Sequence, residues 1–396
     1  MNTRSFRERY AGALGAPATL DPEPVTPPDW PLPRGARLSS NSAGECGVHD
    51  MVYAGPEIAA TFDAFRDCLL TVSGRYHDPR DMIFLDTETT GLSGGTGTHV
   101  FLVGIGRFTG NALHVRQYFM RHPGEERSLL AAVSADLRDL VTLVTYNGRS
   151  FDVPLLETRY RMHGQAFAAP EQHVDLLAPA RAIWKHRLPS CSLGTIERMV
   201  LGVERELDAP GWLIPQLYFD YLRTRRIEVL EPVFEHNRID IVTLARLTAL
   251  VQTYEAGIST PPNDIDRLAV ALHQLRRFGN DQAIALIQEL WRLPTVPAEF
   301  RLRALRDLSV VLKRRRRHAD AAEQWIAAQT DPSRAVRLFA AEELAKHLEH
   351  RERDHARALE ITRRGADGAA LAEDAAAIAA FEHRLRRLER KLGTAG

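Results

Sequence analysis

The order of the predicted secondary-structure elements limits the folds that this chain of 396 residues can adopt more than any other feature of the sequence. Three consecutive strand-like segments are followed by alternating helices and strands. Residues 81–120 contain MIFLDTET, HVFLVGIGRF and LHVRQYFM, and the TGNA between the last two is typical of a hairpin turn. Residues 125–177 then read as a helix, a strand (LVTLVTYN), a second helix over about 151–162 and a short strand (HVDLL). This β-β-β-α-β-α-β order predicts an α/β fold with a mixed sheet flanked by helices.

The rest of the chain divides into predicted parts by composition. Residues 1–45 hold seven prolines and few large apolar groups, which favours a flexible N-terminal segment. Residues 46–256 would form the α/β domain, whose last part is mostly helical. The segment GISTPPND then interrupts the chain, and residues 264–396 would form an all-α domain.

The all-α region carries a faint internal repeat. Small residues recur in DQAIALIQEL, DAAEQWIAA and ARALEITRR, at Ala283, Ala321 and Ala358, which are 38 and 37 positions apart. A leucine-bearing helix precedes each of them. The period is close to that of tetratricopeptide repeats, and a plain helical bundle is the alternative interpretation.

Composition and charge exclude several classes of protein. No run approaches 18 apolar residues, so we expect no membrane span, and the N-terminus has no secretory signal pattern. Three widely separated cysteines indicate neither a disulfide framework nor a cysteine zinc site, so we expect a cytoplasmic protein. The net charge of zero hides an asymmetry, since residues 1–260 hold 26 basic and 31 acidic residues, and residues 261–396 hold 25 and 20.

Acidic side chains occur at three places in the sequence from which they could contribute to one site. Asp86 and Glu88 lie two positions apart on a predicted strand and therefore on one face of it. They follow the apolar run MIFL, where unpaired carboxylates would be costly, so we expect a cation to neutralise them. Asp152 follows Asn147 and Gly148 near the start of a helix, an arrangement that alone is typical of an ordinary strand-to-helix turn.

The third point is HNRIDIVTL, in which His236 and Asp240 are four positions apart on a predicted helix. This spacing places the two side chains on the same helix face. Alone, such a pair is more often an ordinary surface contact.

Together these fragments resemble the motifs of the DEDD exonucleases in the ribonuclease H-like superfamily. The matches to D-x-E, to N-x-x-x-F-D and to the last aspartate of that group are Asp86, Glu88, Asn147, Phe151, Asp152 and Asp240. More narrowly, LDTETTGLSGGTGTHVFLVGIGRF, VTYNGRSFDVPLLETRY, VDLLAPARAIWKHRLPSCSLGTIE and HNRIDIVTL resemble YprB-type predicted exonucleases, which join such a domain to a tetratricopeptide-like tail. The resemblance implies a ribonuclease H-like domain over residues 46–256 and a nuclease that removes nucleotides from the 3′ end of DNA or RNA.

The resemblance also implies a cofactor of two divalent cations, Mg²⁺ or Mn²⁺. Both ions prefer oxygen ligands, and a pair of them can hold the attacking and leaving oxygens of a phosphodiester. By the resemblance, Asp86 would bridge both ions, and Glu88 and Asp240 would bind chiefly the ion that activates water. Asp152 would hold the other ion, partly through water. The predicted substrate contacts are Thr87, Asn147, Phe151 and Asn237.

His236 departs from the two familiar DEDD subgroups, whose last motif is Y-x-x-x-D or H-x-x-x-x-D. Here a histidine stands at the tyrosine spacing, and one added residue turns a side chain by about 100° around a helix. His236 is our candidate for orienting or deprotonating the water, since its ordinary pKa lies near neutral pH. The YprB-type group resembles this chain in using histidine here.

Other segments have competing interpretations. GLSGGTGTH lacks the Lys-[Ser/Thr] of a phosphate-binding P-loop and is expected to lie beside the acidic site. Asp175 either supports the acidic site or holds the local fold. The run KRRRRH, Lys313 to His318, would suit a nucleic-acid backbone or the charged end of a helix.

Two functions of different classes fit this sequence. The first is a metal-dependent nuclease whose partner is DNA or RNA. The second is a non-catalytic nucleic-acid-binding or assembly module with a vestigial nuclease domain, whose repeats bind a protein partner. The presence of all four acidic residues favours the first.

Overall fold

The protein was analysed as a computed structural model. It describes residues 30–71, 78–91, 96–138, 141–167, 170–205, 209–371 and 373–393.

The chain forms two compact units. The first contains residues up to Arg181 together with residues 188–259, and the second contains residues 182–187 and the chain from Thr260 onward. The division after residue 259 lies inside the interrupting segment GISTPPND at residues 257–264.

The described strands of the first unit form one seven-stranded mixed sheet. They are β1 Arg37–Asn41, β2 Gly44–Tyr53, β3 Met82–Thr89, β4 Val100–Thr109, β5 Ala112–Phe119, β6 Thr142–Thr145 and β7 Gln172–Asp175. Their order in the sheet is β1-β2-β5-β4-β3-β6-β7, with β3, β6 and β7 parallel and the other pairs antiparallel. The predicted mixed α/β sheet is confirmed from β3 to β7, and β1 and β2 extend it.

The expectation of a flexible segment over residues 1–45 is wrong for its last part. Strand β1 lies within that range and pairs with β2 from Arg37 opposite Val48 to Asn41 opposite Gly44. This pairing supplies the backbone hydrogen bonds that a five-residue polar segment cannot make alone. Residues 1–29 lie outside the described residues.

Helices follow and separate these strands along the chain. In order they are α1 Pro56–Thr71, α2 Glu126–Asp136, α3 Asp152–Met162, α4 Leu177–Trp184, α5 Leu193–Ile196, α6 Ile214–Thr224 and α7 Glu231–Ala256. Helix α5 continues directly as a π-helical turn over Glu197–Leu201.

Helix α7 packs unusually close to strand β4 because two glycines of that strand leave space. Gly104 and Gly106 are two positions apart and so face the same side of the sheet. A Cβ atom at Gly104 would lie 2.3 Å from Oδ1 of Asn237, and one at Gly106 would lie 2.5 Å from Cγ2 of Ile241. Since Gly104 is paired with Asp86 of β3, this close approach brings α7 to the acidic strand.

The second unit is built from helices alone among its described residues. After the short segment of residues 182–187 they are α8 Asp264–Phe278, α9 Asp281–Leu290, α10 Ala298–Arg314, α11 His318–Ala328, α12 Arg334–His347, α13 His355–Ala370 and α14 Ala375–Gly393. No helix that the structure describes, in either unit, is both long and apolar enough to cross a membrane.

Successive helix pairs in this unit repeat one turn geometry. Gly279, Arg316 and Arg353 each adopt a left-handed backbone conformation, at φ 60°, 60° and 57°, and each stands 37 positions from the next. The small residues of the predicted repeat, Ala283, Ala321 and Ala358, are fully buried in one continuous apolar core. The helix pairs therefore share the predicted period, while their assignment to the tetratricopeptide class stays a prediction.

The basic run of residues 313–318 lies at the end of α10. Three of its side chains form ion pairs with residues of neighbouring helix pairs. Lys313 pairs with Glu343 at 2.5 Å, and Arg315 pairs with Asp281 at 2.5 Å. Arg317 also contacts Asp281, at 3.2 Å. These ion pairs support the interpretation of the run as structural charge at a helix end.

Candidate functional site

Strand β3 carries Asp86 and Glu88 directly after four buried apolar residues. Burial raises the pKa of both carboxyls well above the ordinary range. The negative charges of Asp240 and Asp152 raise the pKa of each further, and Asp86 adds to the effect on Glu88. Four carboxylates from three distant parts of the chain therefore lie close enough to repel one another.

Asp152 begins helix α3 and faces β3. The hydroxyl of Thr87 donates a hydrogen bond of 2.5 Å to its Oδ1 atom. Burial nevertheless raises the pKa of Asp152 to about 6, although the hydrogen bond from Thr87 opposes this effect. Thr87, one of the predicted substrate contacts, thus also holds an acidic side chain in place.

The turn that leads into α3 is held by Asp175. Its carboxylate accepts hydrogen bonds from the backbone N–H of Asn147 at 2.8 Å, of Arg149 at 3.1 Å and of Leu177 at 3.0 Å. Asn147 has φ 66°, in the left-handed region that asparagine tolerates better than most residues. Asp175 therefore acts through the backbone of this turn, the structural one of its two interpretations.

Asn237 lies under Asp86 rather than beside the open face of the site. It is fully buried, and its Nδ2 group donates to Oδ2 of Asp86 at 2.9 Å and to the backbone oxygen of Asp86 at 3.2 Å. Gln117 in turn donates to Oδ1 of Asn237 at 2.9 Å. The structure thus differs from the prediction of a substrate contact, because the amide is fully used in orienting Asp86.

His236 and Asp240 contact each other on α7, as their spacing indicated, with Nε2 of His236 at 3.6 Å from Oδ2 of Asp240. Both are also bound by Arg205, which donates to Oδ1 of Asp240 and, at 2.9 Å, to Nδ1 of His236. Arg205 is itself held by Glu197 through two hydrogen bonds of 2.6 Å. The sequence interpretation missed Arg205 because it lies outside the matching fragments, and it missed Glu197 because that residue, although it ends the fragment VDLLAPARAIWKHRLPSCSLGTIE, matches none of the acidic motif positions.

A cavity of about 530 Å³ opens at this face of the sheet. Its polar lining residues include Asp86, Glu88 and Asp152, and its apolar lining residues include Phe151 and Ile214. Three of the predicted substrate contacts line it, namely Thr87, Asn147 and Phe151. Phe151 is 53% exposed, so its ring is accessible for a contact at the surface of the cavity.

The acidic side chains are engaged with neighbouring groups. Asp240 is paired with Arg205, and Asp152 accepts the Thr87 hydroxyl. Within the described ranges, no group of three or more histidine, cysteine, aspartate or glutamate side chains is arranged so that it could hold a metal ion. Residues 92–95, within the glycine-rich segment expected beside this site, lie outside the described ranges.

A mixed sheet with flanking helices, whose strand β3 carries acidic side chains, is consistent with the ribonuclease H-like class. The sequence pattern of the RNase H superfamily matches residues 83–252, from β3 into α7, so this class is established. The chain is also 33% identical over 325 residues to the uncharacterized protein YprB of Bacillus subtilis (strain 168). That match covers 81% of this chain and 77% of YprB, and the chain belongs to the same family.

Proposed function

We propose that this protein is a metal-dependent nuclease that hydrolyses phosphodiester bonds of DNA or RNA and removes nucleotides from a 3′ end. The observation that carries the proposal is the convergence of four acidic side chains, in which Asp152 and Asp240 raise the pKa of Asp86 and Glu88. The 3′ polarity rests on the resemblance to the DEDD exonucleases.

The chemistry of the donor set fits divalent cations, although holding them requires these side chains to leave their present contacts. Buried carboxylates that repel one another need positive charge, and carboxylate oxygens are the ligands that Mg²⁺ and Mn²⁺ prefer. We propose that Asp86, Glu88, Asp152 and Asp240 hold these ions, with Asp240 exchanging its contact with Arg205 on binding. When bound, such ions stabilise charge on the attacking and leaving oxygens and lower the pKa of water.

The remaining contacts of the site would orient these groups. Asn237 fixes the direction of the Asp86 carboxylate, and Thr87 does the same for Asp152. The exposed ring of Phe151 lines the cavity, where it can stack on a nucleobase. The cavity thus offers an apolar surface for a base beside an acidic surface for the reacting phosphate.

His236 cannot accept a proton at Nδ1 while Arg205 donates to that atom. A guanidinium group only donates hydrogen bonds, so Nδ1 must be the accepting nitrogen and the ring proton lies on Nε2. A role for His236 as the base that deprotonates water therefore requires Arg205 to move away first.

The decisive experiment compares wild type with Asp86→Asn on end-labelled single- and double-stranded DNA and RNA. We expect the wild type to shorten at least one of these substrates from its 3′ end in Mn²⁺ or Mg²⁺, and EDTA to stop it. Loss of a carboxylate that holds the cations should cost about 4 kcal/mol of transition-state stabilisation, which corresponds to a roughly thousandfold slower cleavage.

Asp63→Asn is the matched control, because Asp63 lies on α1, is about half exposed and pairs only at the surface with Arg66. Its cleavage rate should equal that of the wild type. Equal rates for Asp86→Asn and wild type would refute the proposed site. Binding of oligonucleotides without cleavage in any tested metal would instead favour the non-catalytic module.

A further inference from the structure

Arg205 is a buried cation in the midst of the acidic site. Its side chain is only 8% exposed, although it has no counterpart in the motifs that define the site. One guanidinium nitrogen binds both Glu197 and Asp240, and another binds Nδ1 of His236. Such a contact neutralises Asp240 with a charge that, unlike that of lysine or histidine, cannot be removed by deprotonation.

The position of Arg205 is fixed by Glu197. The Glu197 side chain is 1% exposed, and besides its two bonds with Arg205 it accepts a hydrogen bond of 2.6 Å from the hydroxyl of Thr243. Thr243 lies on α7, three positions after Asp240, so the anchor and the acid are held by one helix. The left-handed turn at Gly202 returns the chain so that Arg205 reaches Glu197.

We propose that Arg205 is a positioning residue that competes with a divalent cation for the carboxylate of Asp240. This inference rests on the proposed function, which makes Asp240 a ligand. A cation and the guanidinium cannot share the Oδ1 atom of Asp240 on the same side, so metal binding displaces Arg205. Glu197 shares one guanidinium nitrogen with Asp240 and remains as a partner for Arg205 when the contact with Asp240 breaks.

The same displacement changes His236. Arg205 reaches Asp240 and His236 through neighbouring nitrogens of one planar guanidinium, so movement away from the acid also withdraws the hydrogen bond to Nδ1.

Titration with Mn²⁺, with free Mn²⁺ followed by electron paramagnetic resonance, tests this competition on the full chain without any substrate. We expect Arg205→Gln to bind Mn²⁺ at least about tenfold more tightly than the wild type, since both the competitor and its positive charge are gone. Arg205→Lys, which keeps the charge without the planar fork, should fall between them. Glu197→Gln should weaken Mn²⁺ binding, because the unanchored guanidinium then pairs more strongly with Asp240.

Arg198→Gln is the matched control, since Arg198 is exposed and lies next to Glu197. It removes one positive charge nearby and should leave Mn²⁺ affinity unchanged. Thermal unfolding in EDTA checks the fold of each variant. Arg205→Gln should unfold at a lower temperature than the wild type there and gain more from added Mn²⁺.

Equal or weaker Mn²⁺ binding by Arg205→Gln would overturn the competition. If Arg205→Gln fails to fold, Arg205→Lys decides, and an affinity equal to or below that of the wild type overturns it. Asp86→Asn separates this result from the proposed function. If Asp86→Asn loses Mn²⁺ binding but the Arg205 variants do not bind Mn²⁺ more tightly, only the proposed competition is refuted. If the wild type does not bind Mn²⁺, or binds it as well as Asp86→Asn does, both the competition and the proposed function are refuted.

Discussion

Replacing Gly104 with alanine tests whether the close approach of α7 to β4 is what orients Asp86. The added Cβ would lie 2.3 Å from Oδ1 and 2.9 Å from Cγ of Asn237, well inside van der Waals contact. Asn237 cannot yield toward solvent, because it is fully buried and bound to both Gln117 and Asp86. Either the helix moves away from the strand or Asn237 gives up its hydrogen bonds.

Moving the helix and breaking the hydrogen bonds of Asn237 cost similar amounts of folding free energy. Forcing an extra methyl group into a packed core costs about 1–3 kcal/mol. Loss of a hydrogen bond to a charged group costs about 1.5–3 kcal/mol. We therefore expect Gly104→Ala to lower the free energy of unfolding of the first unit by about 2–3 kcal/mol. Gly194→Ala is the control, because a Cβ at Gly194 meets nothing within 4 Å.

A double-mutant cycle with Asn237→Ala identifies the cause. Calorimetric unfolding should show Gly104→Ala as costly in the wild-type background and much less costly when the Asn237 side chain is gone, with a coupling of at least about 1 kcal/mol. The single variant should also bind Mn²⁺ more weakly, because Asp86 loses its orientation. Additive effects of the two substitutions would refute the reasoning, since the cost of alanine would then have another source.

Other regions of the structure give further predictions. Hydrogen bonds from Arg387 and Lys391 lower the pKa of Glu349 to about 2, although burial alone would raise it. This stabilisation should be complete above the ordinary glutamate pKa near 4.5 and be lost as the pH falls toward 2, so thermal unfolding of Glu349→Gln should depend less on pH in that interval. Asp175→Asn should weaken oligonucleotide binding and lower stability by about 1–2 kcal/mol, because an amide offers one acceptor oxygen in place of two, and unchanged fluorescence anisotropy would contradict this. Arg315→Gln should lower the stability of the second unit by about 0.5 kcal/mol and leave the salt dependence of nucleic-acid binding unchanged, because its guanidinium is paired with Asp281. A reduced salt slope would instead make Arg315 a phosphate contact.

Local patterns predicted a large part of this protein. The alternation of a strand places Asp86 and Glu88 on one face whatever surrounds them, and helical periodicity does the same for His236 and Asp240. Turn-forming segments and apolar runs mark where elements begin and end. The order of the elements from β3 to β7 could therefore be predicted from the sequence. The period of the helical unit was visible because each helix pair needs a small residue, such as Ala321, at the same place.

Only the tertiary structure decided how these elements meet. The bond from Asn237 to Asp86 joins residues 151 positions apart, and it depends on the missing side chain of Gly104. Arg205 reaches Asp240 only because a turn folds it back onto Glu197, and no periodicity announces such a contact. Strand β1 forms because β2 offers it a partner. Neighbouring residues in the chain determine the secondary structure and the face of a strand or helix on which a side chain lies. Which side chains contact each other in a packed interior depends instead on the space and charge that distant segments contribute.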